Sequence, residues 1–221
     1  FQEKQEISIK SLNDGKIFYS VNGSDFKEYK EPFSISETSE IKAYTEDKEQ
    51  NKSTIAKAIA YKKPNNYSID IKTQPSDLYF AGGKEGLVDG IIGDANWKKG
   101  DWHGYQKNDF EAIVDLKSEK EIKTLAADFL QDTRSWILMP TKVIFYTSMD
   151  NKNFKKVGEV NNEIKPEDEN VQTQKLLLNV TPQKARYVKI VAKNFGKLPE
   201  WHQGYPYNGD AYIFISEIEI Q

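Results

Sequence analysis

The sequence has no cysteine among its 221 residues, which excludes a disulfide framework and any thiolate metal site. Many bacterial exported domains also lack cysteine, so this leaves the compartment open. No apolar run comes near the ~20 residues that a bilayer-spanning helix needs, and no cationic start leads into an apolar core of the signal-peptide kind. A mature, soluble chain is the expectation, and its start at Phe1 rather than methionine is expected of a segment of a longer protein. A basic excess is also missing. Lysine and arginine total 31 against 34 acidic residues, a net charge of −3, so no basic field draws in nucleic acid or an anionic membrane.

What is present is aromatic. A 12% share of Phe, Trp and Tyr is too high for a disordered chain, while 29% charged residues keep it soluble. The length suits two small domains, each with its own core. Period-two alternation marks strands in the first part: Ile7 and Ile9, then Ile17, Tyr19 and Val21, then Ile41 and Ala43, then Ile55, Lys57, Ile59 and Tyr61. Asn13-Asp14-Gly15, Asn22-Gly23 and Asp47-Lys48 supply turn chemistry between them. The alternation lapses at Lys62-Lys63-Pro64-Asn65-Asn66, a polar, proline-bearing stretch that reads as an inter-domain link, with domains at 1–63 and 67–221.

Longer strands are expected beyond it: Phe110–Leu116 with Phe110, Ala112, Val114 and Leu116 on one face, then Ile122–Leu130, Thr141–Ser148, Lys175–Val180, Ala185–Lys193 and Ala211–Ile220. Strands with turn-rich gaps and no amphipathic helix indicate an all-β sandwich or jelly roll. Two long connections interrupt them. Gly82–Asn108 carries Trp97, Trp102, His103 and Tyr105, and Phe195–Asp210 carries Trp201, His202, Tyr205 and Tyr207.

Leu87-Val88-Asp89-Gly90, Asn96-Trp97, Gly100-Asp101-Trp102, Phe110-Glu111-Ala112, Ser148-Met149-Asp150-Asn151 with Phe154, Ala185-Arg186-Tyr187-Val188-Lys189-Ile190 and Glu217-Ile218-Glu219-Ile220 resemble a discoidin, or factor V/VIII type C, domain. Phe129-Leu130-Gln131-Asp132, Ser135-Trp136-Ile137, Pro140 and Pro199-Glu200-Trp201-His202 are similar to the version at the C-terminus of bacterial family 20 β-N-acetylhexosaminidases. Gly15 to Gly23, Pro32-Phe33 and Ile41-Lys42-Ala43 resemble the fibronectin-III-like C-terminal domain of chitobiases and hexosaminidases. These resemblances imply a small immunoglobulin- or fibronectin-III-like sandwich followed by a discoidin-type, galactose-binding-like jelly roll akin to family 32 carbohydrate-binding modules. One departure is the turn Ile91-Ile92-Gly93-Asp94, longer and less acidic than the family's.

The resemblance also implies an enzymatic parent whose Asp-Glu pair sits on a TIM barrel and whose substrate's acetamido group is the nucleophile. Nothing in this chain resembles that barrel. Its one Asp-Glu dipeptide, Asp168-Glu169, lies in the charge run Lys165 to Asn170, which a solvated loop explains. His103 and His202 have no cysteine to pair with and no serine in a nucleophile-elbow context. The chain is therefore not expected to be an enzyme by itself.

Sugar binding is the stronger expectation. Pyranose C–H faces stack on Trp or Tyr, and their hydroxyls bond to Arg, Asn, Asp and His. Trp102, His103, Arg134, Trp201, His202, Tyr205 and Tyr207 are the candidates, with Trp102-His103 and Trp201-His202 sharing one rim with Arg134. The bland alternative has Trp97 and Trp136 in the core or pinning loops, and Trp102 packed on Trp201. For a structural calcium, which takes six to eight oxygens, Asp89, Asp94, Asn96 and Glu217 fit the type, with Gly82-Gly83 as a source of carbonyls. The partners implied are glycans with terminal N-acetylhexosamine or galactose, and a catalytic domain of the same exported bacterial protein. Two rivals stay open: purely structural domains packed on a barrel, and a free adhesin.

Overall fold

The computed structural model describes residues 1–12 and 14–221, so Asn13 of the Asn13-Asp14-Gly15 turn lies outside the described residues. The chain divides into two compact units, Phe1–Pro64 and Asn65–Gln221. Among the described residues no helix is long and apolar enough to cross a membrane.

The first unit contains β1 (Gln5–Ile7), β2 (Lys16–Val21), β3 (Lys27–Glu28), β4 (Phe33–Ile35), β5 (Ser39–Glu46) and β6 (Ala56–Ala60). They form an antiparallel pair β1-β4 and an antiparallel sheet β3-β2-β5-β6. Asn22 and Gly23, at φ 51° and 77°, give the turn after β2 its left-handed pair of residues, the geometry that matches the twist of a hairpin. Tyr19, Ile35 and Ile41 are buried, and Phe33 stacks on Tyr19 at 4.3 Å. The alternating residues Ile55, Ile59 and Tyr61 do not face this core: all three are exposed.

The second unit contains β7 (Ser68–Ile71), β8 (His103–Gln106), β9 (Phe110–Gln131), β10 (Lys142–Ser148), β11 (Lys155–Asn161), β12 (Gln172–Lys193) and β13 (Tyr212–Ile220). The order is β11-β10-β12-β9-β13-β8, with β7 also on β9, and all pairs are antiparallel. The expected strands at 110–116 and 122–130 are two ends of one strand, as are those at 175–180 and 185–193. Their pairing breaks register between Asn179 and Gln183 and again between Ala185 and Tyr187, where the ladder bends. The start of β9 pairs with β7 and its end with β13, so the bent sheet wraps into a jelly-roll sandwich. Phe110, Ala112, Val114 and Leu116 are fully buried in the core, with Phe129, Phe145, Val188 and Ile190.

Candidate functional site

The residues that follow β9 organise three loops. A 3-10 turn at Thr133–Ser135 is closed by paired backbone hydrogen bonds between Asp132 and Ile137, and Trp136 leaves it at φ 67°. The Trp136 ring lies on Gly204, where a β-carbon would stand 2.7 Å from the indole and 2.6 Å from Leu198, so only glycine allows this approach. Gln131, wholly buried, donates through Nε2 to the carbonyls of Lys165 and Asp168, both at 2.9 Å. The Thr133 hydroxyl lies 3.0 Å from Pro166 O and 3.1 Å from Asp168 O. These bonds hold the β11–β12 loop.

His202 holds the third loop, between β12 and β13. Its Nε2 lies 2.7 Å from Thr133 O while its Nδ1 accepts the Gly204 amide at 2.9 Å, so the Nε2–H tautomer satisfies both nitrogens. Gln203 Nε2 donates to Arg134 O at 2.9 Å. The three loops enclose a cleft of ≈ 240 Å³ lined by Thr133, Arg134, Glu169, Trp201, His202 and Gln203. Trp201 is 47% exposed, a half-bare indole over a pinned polar floor. Arg134 donates through Nε to Glu169 Oε2 at 2.9 Å and through Nη2 to the same oxygen. A larger hollow of ≈ 640 Å³ follows β7, but one contiguous stretch, 69–84, lines it, without the convergence of loops seen here.

The structure brings Arg134, Trp201 and His202 together but corrects the rest of the expected rim. Trp102 is 2% exposed, packs with Leu130, Ile137 and Phe214 rather than with Trp201, and donates its indole N–H to Asp94 O at 3.0 Å. Gly93 lies against that ring, where a β-carbon would meet Trp102 Cε2 at 2.4 Å. His103 is buried in β8 with Nε2 2.7 Å from Ala81 O, and burial lowers its pKa. Both rings are therefore buried rather than placed on a rim. His202 is buried too and acts as a pin. Tyr205 and Tyr207 are exposed but lie outside the cleft, in the 3-10 turn Tyr205–Tyr207. Trp97 is half-buried, its indole N–H bonded to Asp132 Oδ2 at 3.0 Å. Sequence reasoning missed Glu169, dismissed with its charge run, and the cleft-lining role of Gln203.

The calcium candidates separate in the same way. Glu217 is 2% exposed, takes backbone hydrogen bonds from Gly90 and Asp89, and has a buried Oε2 with no hydrogen-bond partner. Burial pushes its pKa up to about 8, and the nearby Asp89 carboxylate adds to the rise. A desolvated carboxylate with an orphan oxygen beside a second carboxylate fits a hard cation. Asp94 and Asn96 do not join them. Both are exposed, and the Asp94 carboxylate pairs with Lys99 and accepts the Asn96 amide. Among the described residues no group of three or more His, Cys, Asp or Glu could hold a metal, so backbone carbonyls would have to complete the shell.

The second unit is thus an antiparallel β-sandwich whose strand-connecting loops converge on one polar cleft. Residues 71–209 match the model of the F5/8 type C domain, and the chain belongs to that family. Residues 1–57 match the model of the chitobiase/beta-hexosaminidase C-terminal domain. No curated protein matches significantly.

Among solved structures the chain is similar to CpGH89CBM32-5 from Clostridium perfringens, in complex with GalNAc-β-1,3-galactose. The two are 19% identical over 70% of this chain and 94% of that one, with a TM-score of 0.43. It is also similar to CBM32-1 from a family 31 glycoside hydrolase from the same organism, at 19% identity over 72% and 95% of the two chains and a TM-score of 0.44. The C-terminal domain of a chitobiase from Bacteroides fragilis is 20% identical over 70% and 92%, with a TM-score of 0.42.

Proposed function

We propose that this chain is a non-catalytic glycan-binding region, and that one sugar residue sits against Trp201 in the cleft formed by Arg134, Glu169 and Gln203. The observation that carries the reading is the exposed Trp201 ring beside polar side chains whose loops are pinned by buried hydrogen bonds. The indole offers a flat apolar face to pyranose C–H groups, and Arg134, Glu169 and the Gln203 amide oxygen offer donors and acceptors to hydroxyls. Pinning reduces the ordering entropy that binding would otherwise cost.

The match of residues 1–57 supports placing the region in an exported β-N-acetylhexosaminidase-type glycoside hydrolase, where it holds the catalytic domain near glycans with terminal N-acetylhexosamine or galactose. Tethering makes even a weak site effective, because it raises the local concentration of substrate. Asp89 and Glu217 would hold a structural calcium that ties the turn at Asp89-Gly90 to β13, the ion supplying the positive charge that lets the buried Glu217 ionise.

Titration of the intact chain and of Trp201→Ala with N,N′-diacetylchitobiose, lactose and an array of neutral glycans tests the reading. Saturable binding that is lost in Trp201→Ala is expected. A folded wild type that binds no glycan, or a variant that binds like wild type, contradicts it.

A further inference from the structure

Resting on the glycan-binding reading of the same cleft, we infer that Glu169 makes the site selective by charge: it accepts neutral glycans and rejects sugars that carry a carboxylate. An unpaired arginine in a sugar site can take a uronate carboxylate through its bidentate fork. Here one edge of the fork is occupied. Nε and Nη2 of Arg134 both meet Glu169 Oε2, and Asp132 also acts on the guanidinium. Glu169 thus neutralises the Arg134 cation in the lining of the cleft, with the Asp132 carboxylate close behind it.

The Glu169 side chain is 57% exposed, but its backbone is held. Its loop is fastened by Gln131 and Thr133, which are 0% and 2% exposed, to the carbonyls of Lys165, Pro166 and Asp168. Asp168, next in the chain, is locked onto the Asn170 amide and the Gln172 side chain. The carboxylate is therefore presented to the cleft by a fixed backbone. A uronate reaching the remaining edge of Arg134 from beside Trp201 would share the guanidinium with the Glu169 carboxylate and meet its charge.

The probes are N,N′-diacetylchitobiose and lactose, their derivatives oxidised to a carboxylate at C6 of the terminal sugar, and the methyl esters of those derivatives. Each set keeps the ring, and acid and ester differ in charge and one methyl group. The intact protein should bind the acid at least about tenfold more weakly than the ester, a difference of about 1.4 kcal/mol, while Glu169→Gln should bring acid and ester within about threefold. A melting curve of the variant checks that the exposed substitution leaves the fold intact. Wild type binding acid and ester alike overturns the inference and leaves glycan binding standing. Rejection of the acid by wild type and by Glu169→Gln alike removes Glu169 as its cause and overturns the inference as well. Failure of wild type to bind any of the neutral sugars or esters overturns the reading of the cleft itself.

Discussion

Between Gly82 and Asn108 the chain carries Trp97, Trp102, His103 and Tyr105, and between Phe195 and Asp210 it carries Trp201, His202, Tyr205 and Tyr207. In the first connection Trp102, His103 and Tyr105 are at most 2% exposed, because His103–Gln106 is a strand paired with β13 and the preceding loop folds across Leu130 and Phe214. Of the four in the second, only His202 is buried, while Trp201, Tyr205 and Tyr207 are 47%, 47% and 78% exposed. Similar residue types thus serve a core in one place and a surface in the other. Indole and imidazole are amphipathic, so each settles wherever its polar N–H finds a carbonyl. Trp102 finds Asp94 O and His202 finds Thr133 O, whereas for the Trp201 ring the structure offers open solvent.

The largest effect is expected of Trp102→Ala. Loss of a fully buried indole is expected to destabilise the second unit by about 3–5 kcal/mol, measured by denaturant unfolding. A loss below about 1 kcal/mol would mean that the first loop is no core element.

Calcium comes next. In metal-stripped protein, saturating calcium at about 100 times Kd should add roughly 2.7 kcal/mol and raise the Tm of the second unit, EDTA should reverse this, and Glu217→Gln should abolish it. A melting curve indifferent to both reagents would remove the ion from the account.

A third effect depends on pH. Asp128 is 5% exposed, its Oδ2 lacks a hydrogen-bond partner, and burial pushes its pKa up to about 6 from 3.8, with the neighbouring Glu219 adding to the rise. A carboxyl whose folded pKa lies above its unfolded one contributes stability that is full below about pH 3.8 and lost as the pH rises through about 6. Asp128→Asn should therefore match wild type near pH 4 and exceed it at pH 7.5 by on the order of 1–2 kcal/mol. Equal stability at both pH values would show that Lys175, at 3.9 Å, compensates the charge in full.

The smallest expected effect on stability is that of Trp201→Ala, within about 0.5 kcal/mol of wild type. Its consequence lies in binding, where loss of the stacked ring should cost about 1–3 kcal/mol, or about fivefold to more than a hundredfold in Kd.

Legibility of the sequence followed the same division. The alternation Phe110, Ala112, Val114, Leu116 showed a buried face because β9 has one side on the core there. The same pattern in Ile55, Ile59 and Tyr61 marked a strand but not burial, since a period of two records only which residues share a face, and β6 lies at the edge of its sheet. Strand β8 escaped notice because His103, Gly104 and Tyr105 are buried on both faces, which removes alternation, and because Gly104 is required where Phe214 and Tyr79 close in.

At the cleft, the positions of Arg134 and Trp201 were legible from residue type, whereas His202, expected to meet sugar, is a buried pin. The role of Glu169 was not legible. Its charge run does lie in a solvated loop, and what fixes that loop is a set of bonds from Gln131 and Thr133, more than thirty residues away in sequence. No local pattern encodes such a tether. Asp94 and Asn96 were the reverse case, oxygen donors close to Asp89 in sequence that the fold turns to Lys99 and to solvent.

The central claim is that one aromatic loop meets sugar and the other supports it. Amide chemical-shift mapping of the isotope-labelled intact chain during titration with N,N′-diacetylchitobiose or lactose, whichever binds, tests this most directly. The account predicts saturable shifts at Thr133, Arg134, Glu169, Trp201, His202 and Gln203, with Gly93, Trp102, His103 and Tyr105 unmoved. Shifts centred on Trp102 and His103, with Arg134 and Trp201 silent, would contradict it.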